Sequence, residues 1–263
     1  MKDVKPWPLV LPFLGFLKNE GAFFFDTQHP STGSPQRIMR NLRPERVKEE
    51  VERSRERLQR DFIELVQCHW PDPSTPVEET MSALADLVHA GIIGAVGVSN
   101  FDVPLLERAK AALAARGIPL ASNQPRYSLL DRDIESAILP WCVEHGVGTL
   151  AYSPLGQGLL TGKVTTERTF SEGDGRATHP LFTLESRRTI QAANQQAEVL
   201  ARAHGCSLAQ LALAWCLHQP GVTAVLAGAR TASQIVENAG AAAISLDAQE
   251  LSMLSGLFEG LGE

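Results

Sequence analysis

The chain has 263 residues, 44% of them hydrophobic and 21% charged, a balance that excludes fibrous and disordered classes and suits a soluble globular protein. A net charge of −6 argues against a nucleic-acid or anionic-membrane surface. The four cysteines, Cys68, Cys142, Cys206 and Cys216, show no CxxC spacing, so free thiols in a reducing cytoplasm are expected. The seven histidines show neither HExxH nor paired spacing, and no metal site is expected.

Residues 7–17, "WPLVLPFLGFL", resemble a signal-peptide core, but two prolines interrupt them and no A-x-A-like site follows. A buried strand is the expectation there. Residues 44–58 form a helix whose apolar stripe is only Val47, Val51 and Leu58, a cover facing solvent on its other sides. The first clear strand is "FIELVQCHW" (62–70), ending in His69 and Trp70. Thr75 then stands as N-cap with Pro76 at N1 and Glu78 at N3, a capping box. Val77, Met81, Leu84 and Val88 follow at helical spacing until Gly91.

"AVGVSN" (95–100) is the next strand, and Asp102 caps a helix ending at Gly117. "LASNQ" (120–124) is a strand, and 132–145 a helix that Pro140 should kink before Gly146 ends it. "VGTLAYS" (147–153) is a strand, 156–182 a long loop and 184–204 a helix. Ser207 and Gln210 form a capping box for a helix through Leu217. "VTAVLAGA" (222–229) is a strand, Thr231 and Gln234 cap the next helix, and Ser245 starts the last.

Strands separated by helices of this length imply βαβ units, a parallel sheet and strand C-termini gathered on one side. Five strands fall between 62 and 229, and residues 7–13 offer a sixth. Neither GxGxxG nor GxxxxGK[ST] occurs, so Rossmann and P-loop sites are not supported.

Four blocks, "HWPDPSTPVEETMSALADLVHAGIIGAVGVSNF", "NQPRYSLLDRDIE", "LAYSPLGQGLLTGK" and "VLAGARTASQIVEN", resemble the aldo-keto reductases in order and spacing over about residues 41–260. The resemblance implies one α/β domain over 1–263, with 1–40 divergent, folded as a TIM-type (β/α)8 barrel. It also implies NADPH-dependent carbonyl reduction of a small molecule at the strand C-termini.

Residue by residue, the family's pattern makes Ser99, Asn100 and Gln124 ligands of the nicotinamide carboxamide and Tyr152 its stacking partner. Ser153, Leu155, Gln157 and Lys163 match the loop along the pyrophosphate. Gly228 and Arg230 enter a helix N-terminus suited to phosphate, and Arg230 resembles the ligand of the adenosine 2′-phosphate. Gln234, Glu237 and Asn238 match the adenine and ribose contacts and share a helix face. Ile92 and Gly94 depart from the lysine and arginine usual in relatives.

Carbonyl reduction needs a hydride, a proton donor and fixed donors toward the developing alkoxide. The family uses a tyrosine acid, a lysine, an aspartate and a histidine. His69 matches the histidine, and Trp70 would line the substrate pocket. Two placements of the N-terminus compete for the rest. In the preferred one, 9–16 is the third barrel strand, with Pro12-Phe13 where the family has Thr-Lys. In the other, 21–33 is the second strand, with Asp26 as the aspartate and Ser31 in the tyrosine's place. Neither supplies a tyrosine acid, since Tyr127 and Tyr152 are the chain's two tyrosines.

The preferred placement implies an incomplete barrel lacking its first two β/α units. Its open edges would invite self-association. The expected protein is a cytoplasmic NADP(H)-binding oxidoreductase of weak or absent turnover. The alternative is a non-catalytic NADP(H)-binding regulatory module, which the family's potassium-channel β subunits resemble.

Overall fold

The computed structural model describes residues 25–26, 39–171 and 174–262. Strands β1 (Phe25–Asp26) and β2 (Met39–Arg40) pair antiparallel as a separate two-stranded sheet. Helix α1 (Pro44–Leu58) then leads into a regular alternation: β3 (Ile63–Cys68), α2 (Val77–His89), β4 (Ile93–Ser99), α3 (Val103–Ala114), β5 (Leu120–Gln124), α4 (Ile138–His145) and β6 (Gly148–Tyr152). Helices α5 (Leu184–Ala203) and α6 (Leu208–Leu217) precede β7 (Val222–Leu226), followed by α7 (Ala232–Ala239) and α8 (Ala248–Leu257).

The five strands β3 to β7 form one parallel sheet in chain order. Register sets their C-terminal ends level: Cys68 pairs with Val98, Ser99 with Gln124, and Tyr152 with Leu226. Five strands were read from the sequence between 62 and 229, and five are present. The proposed strand at 7–17 and Ser31 lie outside the described residues. Asp26 belongs to the antiparallel pair, and residues 21–24 and 27–33 lie outside the described residues.

Period-2 alternation decides which face of each strand meets the helices. Val66 and Cys68 of β3 and Val96 and Val98 of β4 are fully or nearly fully buried. They pack with Val47 and Val51 of α1, Met81 and Leu84 of α2, and Leu106 and Leu113 of α3. Each such side chain contributes about 1.5–3 kcal/mol by leaving water. Gln67, Gly97 and Ser122 lie on the opposite, polar face, where Gln67 donates to Ser122 Oγ at 3.1 Å. A second core joins α5, α6 and α8 around Tyr127 and Trp215, whose ring centroids are 5.5 Å apart. The α1 stripe is correspondingly divided: Val47 and Val51 are buried, while Leu58 is exposed at the helix end.

Several caps are as the sequence predicts. Asp102 accepts from Leu105 N, Ser207 and Gln210 close a reciprocal capping box, and Thr231 accepts from Gln234 N. Others differ. Thr75 does not cap α2: its hydroxyl donates to Asp72 Oδ2 at 2.7 Å, and Pro76 stands at the N-cap. The single helix over 132–145 is instead a 3₁₀ turn (Asp133–Glu135) followed by α4. Pro140 produces no kink, because it falls in the first turn of α4, where a backbone N–H has no intrahelical partner. The last helix starts at Ala248, with Asp247 as its N-cap in a capping box with Glu250; Ser245 precedes both. The loop 156–182 contains three short 3₁₀ turns, Gly156–Thr161, Gly175–Ala177 and Pro180–Phe182.

Candidate active site

His69 follows β3 directly, and its imidazole is half-buried at the C-terminal rim. Burial first, and the Arg40 charge second, lower its pKa from 6.5 to about 4. The ring is therefore neutral near pH 7. A neutral imidazole keeps one N–H, which can donate to a carbonyl oxygen. The Trp70 ring lies 6.2 Å from it, centroid to centroid, and the Arg40 guanidinium sits 4.8 Å from the Trp70 ring. Arg40 also donates to Pro71 O at 3.4 Å.

The tips of β4, β5 and β6 converge on the same rim. Asn100 donates through Nδ2 to His69 O at 2.9 Å and to Ser99 Oγ at 3.1 Å. Its Oδ1 accepts from the Tyr152 hydroxyl at 2.9 Å. Ser99 Oγ donates to Gln124 O at 2.6 Å, and Asn100 N donates to the same carbonyl at 3.2 Å. The structure thus brings His69, Ser99, Asn100, Gln124 and Tyr152 into one cluster. Burial raises the Tyr152 pKa, with Asp131 reinforcing and Arg126 opposing, so its phenol keeps the proton it gives to Asn100.

After these bonds are counted, the cluster has a defined remainder. Asn100 has used both amide hydrogens and keeps acceptor capacity on Oδ1. Gln124 donates one hydrogen to Gln67 Oε1 at 2.9 Å and keeps the other, together with its Oε1. Free acceptors beside one free N–H complement a primary carboxamide, whose NH₂ needs acceptors and whose oxygen needs a donor. The donor set therefore fits a nicotinamide.

Backbone conformation marks the same residues. The described non-glycine residues with positive φ are Gln59, Asn100 (61°), Ser153 (55°) and Gln157 (52°). Gln59 is the left-handed C-cap of α1, an ordinary helix ending. The other three lie on the rim and its loop. Left-handed backbone is costly for residues bearing a Cβ, and such strain concentrates at functional sites. Loop 153–163 is tied down from beneath: Asn194 of α5 donates to Leu159 O at 2.8 Å. Within it, Leu155 is half-buried, while Gln157 and Lys163 are exposed to solvent.

Gly228 and Arg230 sit between β7 and α7. Arg230 is exposed, and its N–H donates to Gln234 Oε1 at 2.7 Å. Asn238 Nδ2 reaches Gly228 O at 3.4 Å. Glu237 turns elsewhere: its carboxylate accepts from Ser207 Oγ at 2.7 Å and its carbonyl accepts from Gln210 Nε2 at 2.8 Å, locking α7 onto α6. Gln234 and Asn238 therefore shape the loop, and Glu237 anchors the helix, in this arrangement.

Two participants escaped the sequence reading. Gln67 joins Gln124, Ser122 and Val98 O, and its signal was a lone amide among apolar neighbours near the end of β3. Arg40, stacked on Trp70, lay in the segment treated as divergent. Gly94 has a local reason: a Cβ there would stand 2.8 Å from both Glu64 O and the Phe62 ring.

Parallel strands alternating with helices, with polar side chains gathered at the strand C-termini, define an α/β protein of TIM-barrel type. The chain belongs to the Aldo/keto reductase family, whose sequence model matches residues 23–259. Among relatives, the aldo-keto reductase YhdN of Bacillus subtilis is 40% identical over 199 residues, covering 75% of this chain and 59% of its own length. The NADH-specific methylglyoxal reductase of Escherichia coli is 34% identical, covering 85% of this chain and 68% of its own length. The structure of the glycerol dehydrogenase AKR11B4 from Gluconobacter oxydans superimposes with a TM-score of 0.80 at 34% identity, covering 87% of this chain and 68% of that one. This chain thus spans 59–68% of the length of these proteins. No helix among the described residues is long and apolar enough to cross a membrane.

Proposed function

We propose that this chain binds NADP(H) across its C-terminal rim and takes part in reduction of small aldehydes or ketones, with weak or no turnover by this chain alone. The observation that carries the reading is the coincidence at Asn100: left-handed backbone, bonds to His69, Ser99 and Tyr152, and a remainder that fits a carboxamide. When bound, the dinucleotide would supply a hydride. Ser99, Asn100 and Gln124 would hold the carboxamide, and Tyr152 would cover one ring face. Ser153, Leu155, Gln157 and Lys163 would follow the pyrophosphate. Gly228 and Arg230 would receive the 2′-phosphate at the α7 N-terminus, next to Gln234, Glu237 and Asn238. Arg230 supports NADP(H) for this chain, whereas the Escherichia coli relative is named as NADH-specific. Neutral His69 would donate to the substrate oxygen in a pocket lined by Trp70.

The low-turnover part rests on the two tyrosines of the chain. Tyr127 is buried and donates to Glu135 Oε1 at 2.7 Å, far into the second core, with burial raising its pKa. Tyr152 donates to Asn100. With Tyr127 bonded to Glu135 and Tyr152 to Asn100, the proposal assigns no general acid beside His69, and loss of such an acid typically costs about 10²–10⁴-fold in rate. The same observation favours a second reading, a non-catalytic NADP(H)-binding module. A cytoplasmic setting, and self-association through open sheet edges, belong to the proposal.

NADPH fluorescence titration, followed by NADPH oxidation with a simple aldehyde, tests both parts. Saturable binding with slow oxidation is expected. Absence of binding overturns the cofactor site, and rapid oxidation overturns the low-turnover part. Binding without any turnover, together with a co-purifying partner, decides for the second reading.

A further inference from the structure

We infer that Gln67 is a positioning residue that fixes which end of the Gln124 amide faces the nicotinamide carboxamide. The inference rests on the NADP(H) site proposed above. Gln67 precedes His69 by two residues, so both side chains leave the strand on the same face. An amide side chain is nearly symmetric in shape, and only its hydrogen-bond partners choose between its two orientations.

Here the choice is made in steps. The carbonyl of Val98 can only accept, and it takes a hydrogen from Gln67 Nε2 at 3.3 Å. The same nitrogen donates to Ser122 Oγ at 3.1 Å. Both hydrogens of the Gln67 amide thus point toward β4 and β5, and its Oε1 is left facing Gln124. Gln124 must answer with a donor, and does so through Nε2 at 2.9 Å. Turning either amide over would set two oxygens or two NH₂ groups against each other. The Gln124 oxygen is therefore directed away from Gln67, free to accept from a carboxamide N–H. Gly97 keeps the row open, because a Cβ there would collide with Ser122 Oγ and Gln67 Cγ. The Gln124 backbone is held independently by Ser99 Oγ and Asn100 N, so the side-chain orientation is what Gln67 controls.

The test compares NADP⁺ with its acetylpyridine analogue, whose methyl ketone has no carboxamide N–H. Affinities are read by competition against NADPH fluorescence. The unaltered chain should prefer NADP⁺ by about 5-fold, the order of one hydrogen bond. Gln67→Met removes the fixed acceptor at similar volume. NADP⁺ should weaken about 5-fold, while the analogue stays within about 2-fold. Gln67→Glu keeps an acceptor toward Gln124 and should retain the preference. Equal weakening of both dinucleotides by Gln67→Met, or no weakening of either, overturns the inference and leaves the cofactor site standing. If Gln67→Met does not fold, equal affinities of the unaltered chain for the two dinucleotides overturn it. Failure of the unaltered chain to bind either dinucleotide overturns the cofactor site, and this inference with it.

Discussion

The hydroxyl of Tyr152 donates to Oδ1 of Asn100 at 2.9 Å, bridging the tip of β6 to the tip of β4 across β5. Asn100 in turn donates to His69 O, so one side chain ties together residues from three strand ends. It does this in left-handed backbone at φ 61°, a region that asparagine tolerates better than most residues.

Asn100→Ala removes these bonds and places a methyl group in the left-handed region. Urea unfolding should show a loss of about 2–4 kcal/mol, from lost hydrogen bonds and backbone strain together. Asn100→Gly relieves the strain and should regain about 1 kcal/mol of that loss. Both variants should bind NADPH weakly. Equal stability of the two would contradict the strain argument, and equal binding to the unaltered chain would contradict the carboxamide contact.

His69 should titrate near pH 4 rather than 6.5, because burial and then the Arg40 charge disfavour its protonated form. The sign follows from linkage. Above pH 6.5 both folded and unfolded chains carry a neutral imidazole, and His69 adds no pH dependence. As pH falls from 6.5 toward 4, the unfolded chain takes the proton first, so stability declines over that window and then levels off. NMR titration of the imidazole checks the position of the midpoint. Arg40→Ala should move it upward, and a midpoint unmoved by that change would remove Arg40 from the site.

Arg230 is exposed at the loop before α7, where a 2′-phosphate would meet both its guanidinium and the helix N-terminus. Arg230→Ala should weaken NADPH about 10-fold and leave NADH nearly unchanged, the size of one charge-assisted contact. Isothermal titration at fixed ionic strength measures both. Parallel loss of the two cofactors would show that Arg230 supports the loop rather than reads the phosphate.

Asp72 is buried and accepts from Leu42 N at 3.0 Å, from Thr75 Oγ1 at 2.7 Å and from both Ser74 N and Ser74 Oγ. Burial alone would raise its pKa, but these bonds prevail and hold it below the ordinary 3.8. Its contribution is thus present above pH 3.8 and is lost as pH falls through the lower folded value. Asp72→Ala should destabilise by about 2–4 kcal/mol near neutral pH by stranding buried donors. It should also flatten the acid limb of stability against pH. An unchanged acid limb would show that other carboxylates set it.

Much was legible because it is local. Short apolar runs such as Ile63–Cys68, 3.6-residue spacing such as Val77 to Val88, and the Ser207–Gln210 box each depend on residues within one turn or one strand of one another. The strand tips could be read too, since Ser99, Asn100, Gln124 and Tyr152 end their strands in the sequence as they do in space. Tertiary structure alone decided the directions of the polar groups. Thr75 turned from its helix to Asp72, and Glu237 from a nucleotide face to Ser207. Gln67 met Ser122 and Gln124, partners 55 and 57 residues away in the chain. A side-chain donor takes whichever acceptor the neighbouring strand or helix brings within 3 Å or so, and burial then makes that choice costly to reverse. Which strand becomes the neighbour is settled by assembly of the sheet, and no spacing within a single segment encodes it.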